Sequence, residues 1–166
     1  MSRTFWVSTI LMLSGFVSAD TWAGNNNTAN ITVKVAIFAD PCVINNAQLI
    51  DVDFGDSVVT TEVAKGTVEK PVNYTLDCSS ADQNKTLKMR ISGAGAEFDG
   101  TVLKTSIPEL GVKMKADGAS YPLNTDLVLA TASSKPALTA LLVTQPGARL
   151  PTGGFTAGAT MTVDYQ

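Results

Sequence analysis

The stretch FTAGATMTVDYQ, residues 155–166, alternates with a period of two. Phe155, Ala157, Ala159, Met161, Val163 and Tyr165 are apolar or small, and Thr156, Gly158, Thr160, Thr162, Asp164 and Gln166 lie between them. Successive side chains of a strand point to opposite faces, so this pattern reads as a half-buried β-strand. It is the last strand in the sequence. A partner for its outer edge is therefore expected from elsewhere in the chain, or from another chain.

The rest of the sequence repeats the same period in short pieces. Residues 30–38, NITVKVAIF, place Ile31, Val33, Val35 and Ile37 on one face and Thr32, Lys34 and Ala36 on the other. Pro41 ends that run, because proline cannot donate to a ladder. VINNAQLIDVDFG (43–55) is a second extended stretch carrying an Asn-Asn turn signal. In KPVNYTLDC (70–78), Val72, Tyr74, Leu76 and Cys78 share a face, which points the second cysteine inward. TLKMRIS (86–92) is a further strand, with Leu87, Met89 and Ile91 on its apolar side. GAGAEFDG (93–100) reads as a glycine-broken loop, and short extended runs follow at TVLKT, LGVKMKA, YPLN and ALTALLVT. Helical periodicity over ten residues is absent after the first twenty-odd positions. Many short strands separated by turn signals predict one all-β domain, an antiparallel sandwich.

The N-terminus differs in kind. One positive charge at Arg3 precedes the apolar run FWVSTILMLSGFVSA (5–19) and then the polar DTWAGNNN. This is the pattern of a secretory signal peptide, too short and poorly flanked for a membrane span. Small-residue cleavage sites lie after Ala19 and after Ala23. Export gives the two cysteines, Cys42 and Cys78, an oxidising environment and predicts a disulfide between them. Closing a loop of about 36 residues stabilises a fold by roughly 3–4 kcal/mol in the chain-entropy account. A metal-binding thiol pair lacks support, since the chain has no histidine and no third cysteine.

The charge balance, 12 Lys and Arg against 15 Asp and Glu, contains no basic run and argues against nucleic acid or an anionic membrane as partner. The missing histidine removes Ser-His-Asp and Cys-His nucleophile activation. Asp51 and Asp53 share a strand face and Asp77 adjoins Cys78, but solvated strand-edge carboxylates explain them better than a catalytic dyad. The glycines of residues 93–100 lack the Lys-Ser/Thr and the helix of a phosphate loop. Asn26, Asn30 and Asn73 head N-x-Ser/Thr sequons, a short pattern that by itself assigns no function. No enzyme, cofactor or metal is expected.

Two features answer each other: an alternating strand ahead of the first cysteine, and a last strand whose outer edge has no successor. An immunoglobulin-type sandwich closes with a seventh strand beside the sixth. Without it, core side chains and backbone amides stand open. A strand lent by another chain would close the gap by β-augmentation. The other reading of ITVKVAI is an ordinary first strand paired in its own sheet.

At this point the chain resembles the pilin subunits of chaperone–usher fimbriae, those related to type 1 and P pili. The resemblance rests on ITVKVAI, Pro41-Cys42, the INN and VDFGD that follow, PVNYTLDC with its second cysteine, and the closing GATMTVDYQ with penultimate Tyr165. It covers nearly the whole chain after the leader. It implies an incomplete immunoglobulin-like β-sandwich lacking its final strand and completed by donor-strand exchange. A periplasmic pilus chaperone fills the groove until, at the outer-membrane usher, another pilin subunit's N-terminal strand replaces it. Carried over, the donor residues are Ile31, Val33, Val35 and Ile37. The chaperone and acceptor strand is Phe155, Ala157, Ala159, Met161, Val163 and Tyr165. The expected division is a leader at 1–23, a donor extension at 24–41 and a pilin domain at 42–166; the usual length of the extension favours cleavage after Ala23. Export through the periplasm to a cell-surface fimbrium follows, in a minor or adaptor role, with a host-cell receptor met through the assembled fibre. The alternative within binding proteins is a single-domain adhesin that contacts host glycan through its loops. One departure stands out: Val35 occupies the place where the family usually has a glycine, about seven residues before the first cysteine. Either the partner's pocket is more open, or the register slides and brings Ala36 there.

Overall fold

The computed structural model describes residues 41–131 and 134–166, so the leader and the segment 30–38 lie outside the described residues. Strands in chain order are β1 Val43–Ile44, β2 Glu69–Pro71, β3 Leu76–Asp77, β4 Leu87–Gly93, β5 Gly95–Ala96, β6 Asp99–Lys104, β7 Leu110–Ala116, β8 Ala119–Ser120, β9 Asp126–Leu129, β10 Leu138–Thr144 and β11 Ala159–Tyr165. Every pair among them is antiparallel. One sheet runs β2-β10-β7-β6-β5 with β8 on β7, a second runs β11-β4-β9, and β1 pairs with β3. The expected all-β sandwich is what the chain forms.

The core follows from the alternation. Leu87, Met89 and Ile91 of β4 are buried, as are Leu138, Ala140 and Leu142 of β10 and Leu110, Val112 and Met114 of β7. These faces meet in one apolar cluster, joined by Val72, Tyr74 and Cys78 of the segment read as one inward face. Two phenols donate to backbone carbonyls in the interior: Tyr74 to that of Pro136 at 2.7 Å, and Tyr121 to that of Met89 at 2.8 Å. Burial pushes both phenols up to about 12. On the outer face of the smaller sheet, Arg90 and then Lys88 hold the Asp126 carboxyl below its ordinary range and lace β9 to β4.

Three places depart from the sequence reading. Residues 93–100, read as a loop, form a hairpin in which the chain crosses from one sheet to the other. β5 pairs with β6 through a register shift at Gly95/Ala96. The glycine there serves close approach: a Cβ on Gly95 would lie 2.6 Å from the Gly100 carbonyl oxygen. A single helical turn, Thr60–Ala64, buries Val63 and is too short for periodicity to reveal. Among the described residues the extended stretch 43–55 is ladder-paired only at β1. Asn45, Asn46 and Ala47 then turn through positive φ, with the Asn45 side-chain amide donating to the Gln48 and Leu49 carbonyls.

Cys42 and Cys78 are joined, fixing the start of the 43–58 segment to the end of β3. Replacing both by serine should lower unfolding stability by roughly 3–4 kcal/mol, read from denaturant midpoints at unchanged m.

Candidate functional site

Among the described residues β11 has a ladder partner on one side only, β4, with Met161 opposite Ile91 and Val163 opposite Met89. The Gln166 amide donates to the Thr86 carbonyl at 2.9 Å. Amide direction alternates along a strand, so the amides of Thr160, Thr162 and Asp164 also face β4. Those of Met161, Val163 and Tyr165 face away from it.

Beside that edge lies a groove of about 1230 Å³, larger than the usual small-molecule pocket. One bank is the segment 44–58 and the other is 150–161. Its floor is core: Ile91, Leu103, Val112, Met114, Ala140 and Leu142 all line it. The far bank keeps a period of two. Ile50, Val52 and Phe54 pack on the core while Asp51 and Asp53 are exposed. Leu49, at 90% exposure, stands on its rim. Phe54 meets Phe155 across one end of the groove, ring centroids 5.9 Å apart. There the upstream part of the terminal segment is anchored. Thr105 bridges to Ala157, the Ser106 amide donates to the Thr156 carbonyl at 2.8 Å, and the Thr156 amide donates to Ser106 Oγ at 3.0 Å. These ties and the disulfide fix the ends of the two banks.

The residues read from the sequence divide along this groove. Phe155, Ala157, Ala159 and Met161 line it, and Val163 is buried beside it. Tyr165 lies beyond the groove lining, its hydroxyl accepting from the Asp82 amide at 2.9 Å with the Lys85 ammonium 5.0 Å from its ring. The predicted strand is broken: β11 proper begins at Ala159, and Ala157 belongs to the separate bridge. Ile31, Val33, Val35 and Ile37 lie outside the described residues. The far bank was not singled out by sequence reading, although IDVDF carries the signal in its alternation of apolar residues with aspartate. Among the described residues no cluster of three His, Cys, Asp or Glu side chains is placed to hold a metal.

The family model described as fimbrial protein matches residues 29–166. Among curated proteins, the fimbrial-like protein YfcQ of Escherichia coli K12 is 30% identical over 142 residues, covering 82% of this chain and 87% of its own. The fimbrial-like protein YfcR of the same organism is 30% identical over 171 residues, 100% of this chain and 97% of its own. Among solved structures, the P pilus rod subunit PapA superposes with a TM-score of 0.60 at 16% identity, over 84% of this chain and all of that one, a likeness of fold. The P pilus adaptor subunit PapF superposes with a TM-score of 0.53 at 27% identity, over 78% of this chain and 98% of that one.

If the edge of β11 is open, hydrogen exchange should split it by parity. Amides of Met161, Val163 and Tyr165 should exchange at least about 10-fold faster than those of Thr160, Thr162 and Asp164, measured by NMR on the chain held at low temperature. Uniform protection along the strand would show that both edges are paired.

Proposed function

The chain belongs to the fimbrial protein family, as a chaperone–usher pilus subunit and so a structural component of a surface fimbrium, and from that premise we propose that it polymerises by donor-strand exchange. The observation that carries this reading is the groove beside β11, with core residues for a floor and backbone amides for one wall. In this account residues 1–23 are a leader removed on export and residues 24–41 are the donor extension. Residues 42–166 form the pilin domain that receives a strand. A periplasmic chaperone occupies the groove first, and at the outer-membrane usher an incoming subunit's extension replaces it. The resulting fibre carries adhesion as a property of the whole assembly.

The donor face of this chain is Ile31, Val33, Val35 and Ile37, and the receiving strand presents Phe155, Ala157, Ala159, Met161, Val163 and Tyr165. Burying four β-branched side chains contributes on the order of 6–12 kcal/mol before ordering costs. Ladder hydrogen bonds add about 0.5–1.5 kcal/mol each. The groove is already shaped, which confines the ordering cost to the entering strand. Such a joint holds subunits without a covalent bond.

Co-expression with the cognate chaperone tests the reading: the exported subunit should accumulate as a one-to-one complex in its presence and be lost to self-association or proteolysis in its absence. Val33→Asp should leave the chaperone complex intact while fibre incorporation falls at least about 100-fold, scored by the ladder of strand-linked oligomers. Met161→Asp, on the receiving side, should weaken the chaperone complex itself. Normal incorporation of Val33→Asp would overturn the proposal.

A further inference from the structure

The far bank of the groove carries charge of one sign. Asp51, Asp53 and Asp56 border it there, whereas Asp164, outside the groove lining, stands opposite Lys88 in the β11–β4 ladder. Between Val43 and Thr61, and again between Pro151 and Gln166, there is no lysine or arginine. Asp51, Asp53 and Asp56 enter none of the ion pairs formed among the described residues. The exposed positions of the far bank therefore present carboxylates beside the space where a strand would lie.

A strand that enters such a groove alternates its side chains, apolar residues downward to the core and the others upward, level with the rim. In residues 30–38 of this chain the upward set is Thr32, Lys34 and Ala36, and Lys34 is the only charge in the segment. Opposite charges on neighbouring strands of one face attract, and like charges repel.

The downward set fits as well. On the receiving strand Ala157 and Ala159 line the groove with small side chains. A Cβ built on Gly93, opposite Ala159 in the ladder, would lie 3.6 Å from the Ala159 Cβ and 2.6 Å from Leu103 Cδ1, which places Ala159 on the core side. Small walls leave room for large entrants, and the downward set Ile31, Val33, Val35 and Ile37 has no small member. A strand carrying a valine where the family usually has glycine, as at Val35, would meet small side chains on this wall.

Direction separates a second copy from the chain's own segment. β1 lies beside β11, and Phe54 lies beside Phe155, so the far bank runs antiparallel to β11. A strand folded back from the same chain through the short link 38–41 would be antiparallel to the bank and hence parallel to β11. A second copy's segment has no such tether and can lie antiparallel to β11, the orientation of every described pair in the fold and the more stable one per residue.

We propose that this groove selects its donor by charge as well as by apolar fit, and that the donor it fits is residues 30–38 of a second copy, with Lys34 level with the Asp51 and Asp53 carboxylates. This rests on the donor-strand reading and names the partner within it. It assigns the subunit to runs of identical copies and replaces the expectation of a single adaptor position.

The test uses the full chain refolded from denaturant with synthetic peptides of residues 27–40, followed by size-exclusion and fluorescence titration. The unaltered peptide should bind. The Lys34→Glu peptide should bind roughly 5- to 10-fold more weakly at low salt, with the difference shrinking at high ionic strength. A chain carrying Asp51→Lys and Asp53→Lys, both exposed positions, should reverse that preference. Refolded alone, the chain should form a ladder of oligomers that Lys34→Glu diminishes and the Asp51→Lys, Asp53→Lys background restores. Equal binding of the unaltered and Lys34→Glu peptides, with a Val33→Asp peptide failing, would overturn selection by charge and leave strand exchange standing. Equal binding of Val33→Asp would overturn strand exchange itself. A refolded chain that stays a monomer and takes up no peptide would show the groove filled from within, and would overturn both.

Discussion

The structure depends on one edge that no described residue pairs. β11 is paired with β4, and its other side faces a groove whose floor is the hydrophobic core. A backbone amide away from water costs about as much as a lost hydrogen bond, and exposed apolar floor adds its own penalty per unit area. The two demands coincide in space: whatever satisfies the amides also covers the floor. A single extended strand does both at once, because its backbone offers carbonyls at the spacing of the ladder and alternate side chains at the spacing of the pleat.

A sandwich with such a gap would be expected to collapse onto it. Here the far bank is restrained at both ends. The Cys42–Cys78 bond pins its start to the end of β3, and the Phe54–Phe155 contact with the Thr156 and Ser106 hydrogen bonds props its other end. Elsewhere the interior leaves little to rearrange. Among the described residues no buried side-chain nitrogen or oxygen lacks a partner. Tyr74 and Tyr121 donate to backbone carbonyls in the interior, and buried Thr105 donates to the Leu110 carbonyl at 2.9 Å. Other sheet edges are handled differently. β9 is four residues long and laced by Asp126 to Lys88 and Arg90, a short charged edge of the kind that discourages pairing. The groove edge is long, flanked by apolar surface and left without that protection.

The alternation in residues 155–166 revealed which side of the last strand is apolar, and Val163, Met161, Phe155 and Tyr165 pack as that pattern requires. Exposure at Ala157 and Ala159 was not legible, because a period of two reports which face is apolar and says nothing of whether a neighbour covers it. The same limit hid the far bank. Ile50, Val52 and Phe54 have the signature of a strand, yet among the described residues the bank carries no ladder past β1, since pairing requires a partner as well as a pattern. Gly93 and Gly95 read as breaks in a loop when their use is contact, with Leu103 and Gly100 occupying the space a Cβ would need. The helical turn Thr60–Ala64 offers one buried residue, Val63, too little for any period to register.

An apolar groove that accepts an alternating strand has a difficulty of specificity. Val, Ile and Leu differ by a methylene or a branch, worth little in discrimination, and many exported chains carry alternating segments. The floor can supply affinity for nearly any of them. The rim is where partners differ, since upward-facing residues contribute nothing to burial and are free to vary. Carboxylates at Asp51, Asp53 and Asp56, with no cation among them on either bank, weaken an acidic entrant and favour a basic one at little cost to the apolar fit. Because these charges are exposed, their effect is modest per pair, and it acts on encounter and on the choice between competitors more than on final stability. Dividing the task this way lets one groove bind tightly through its floor and discriminate through its rim.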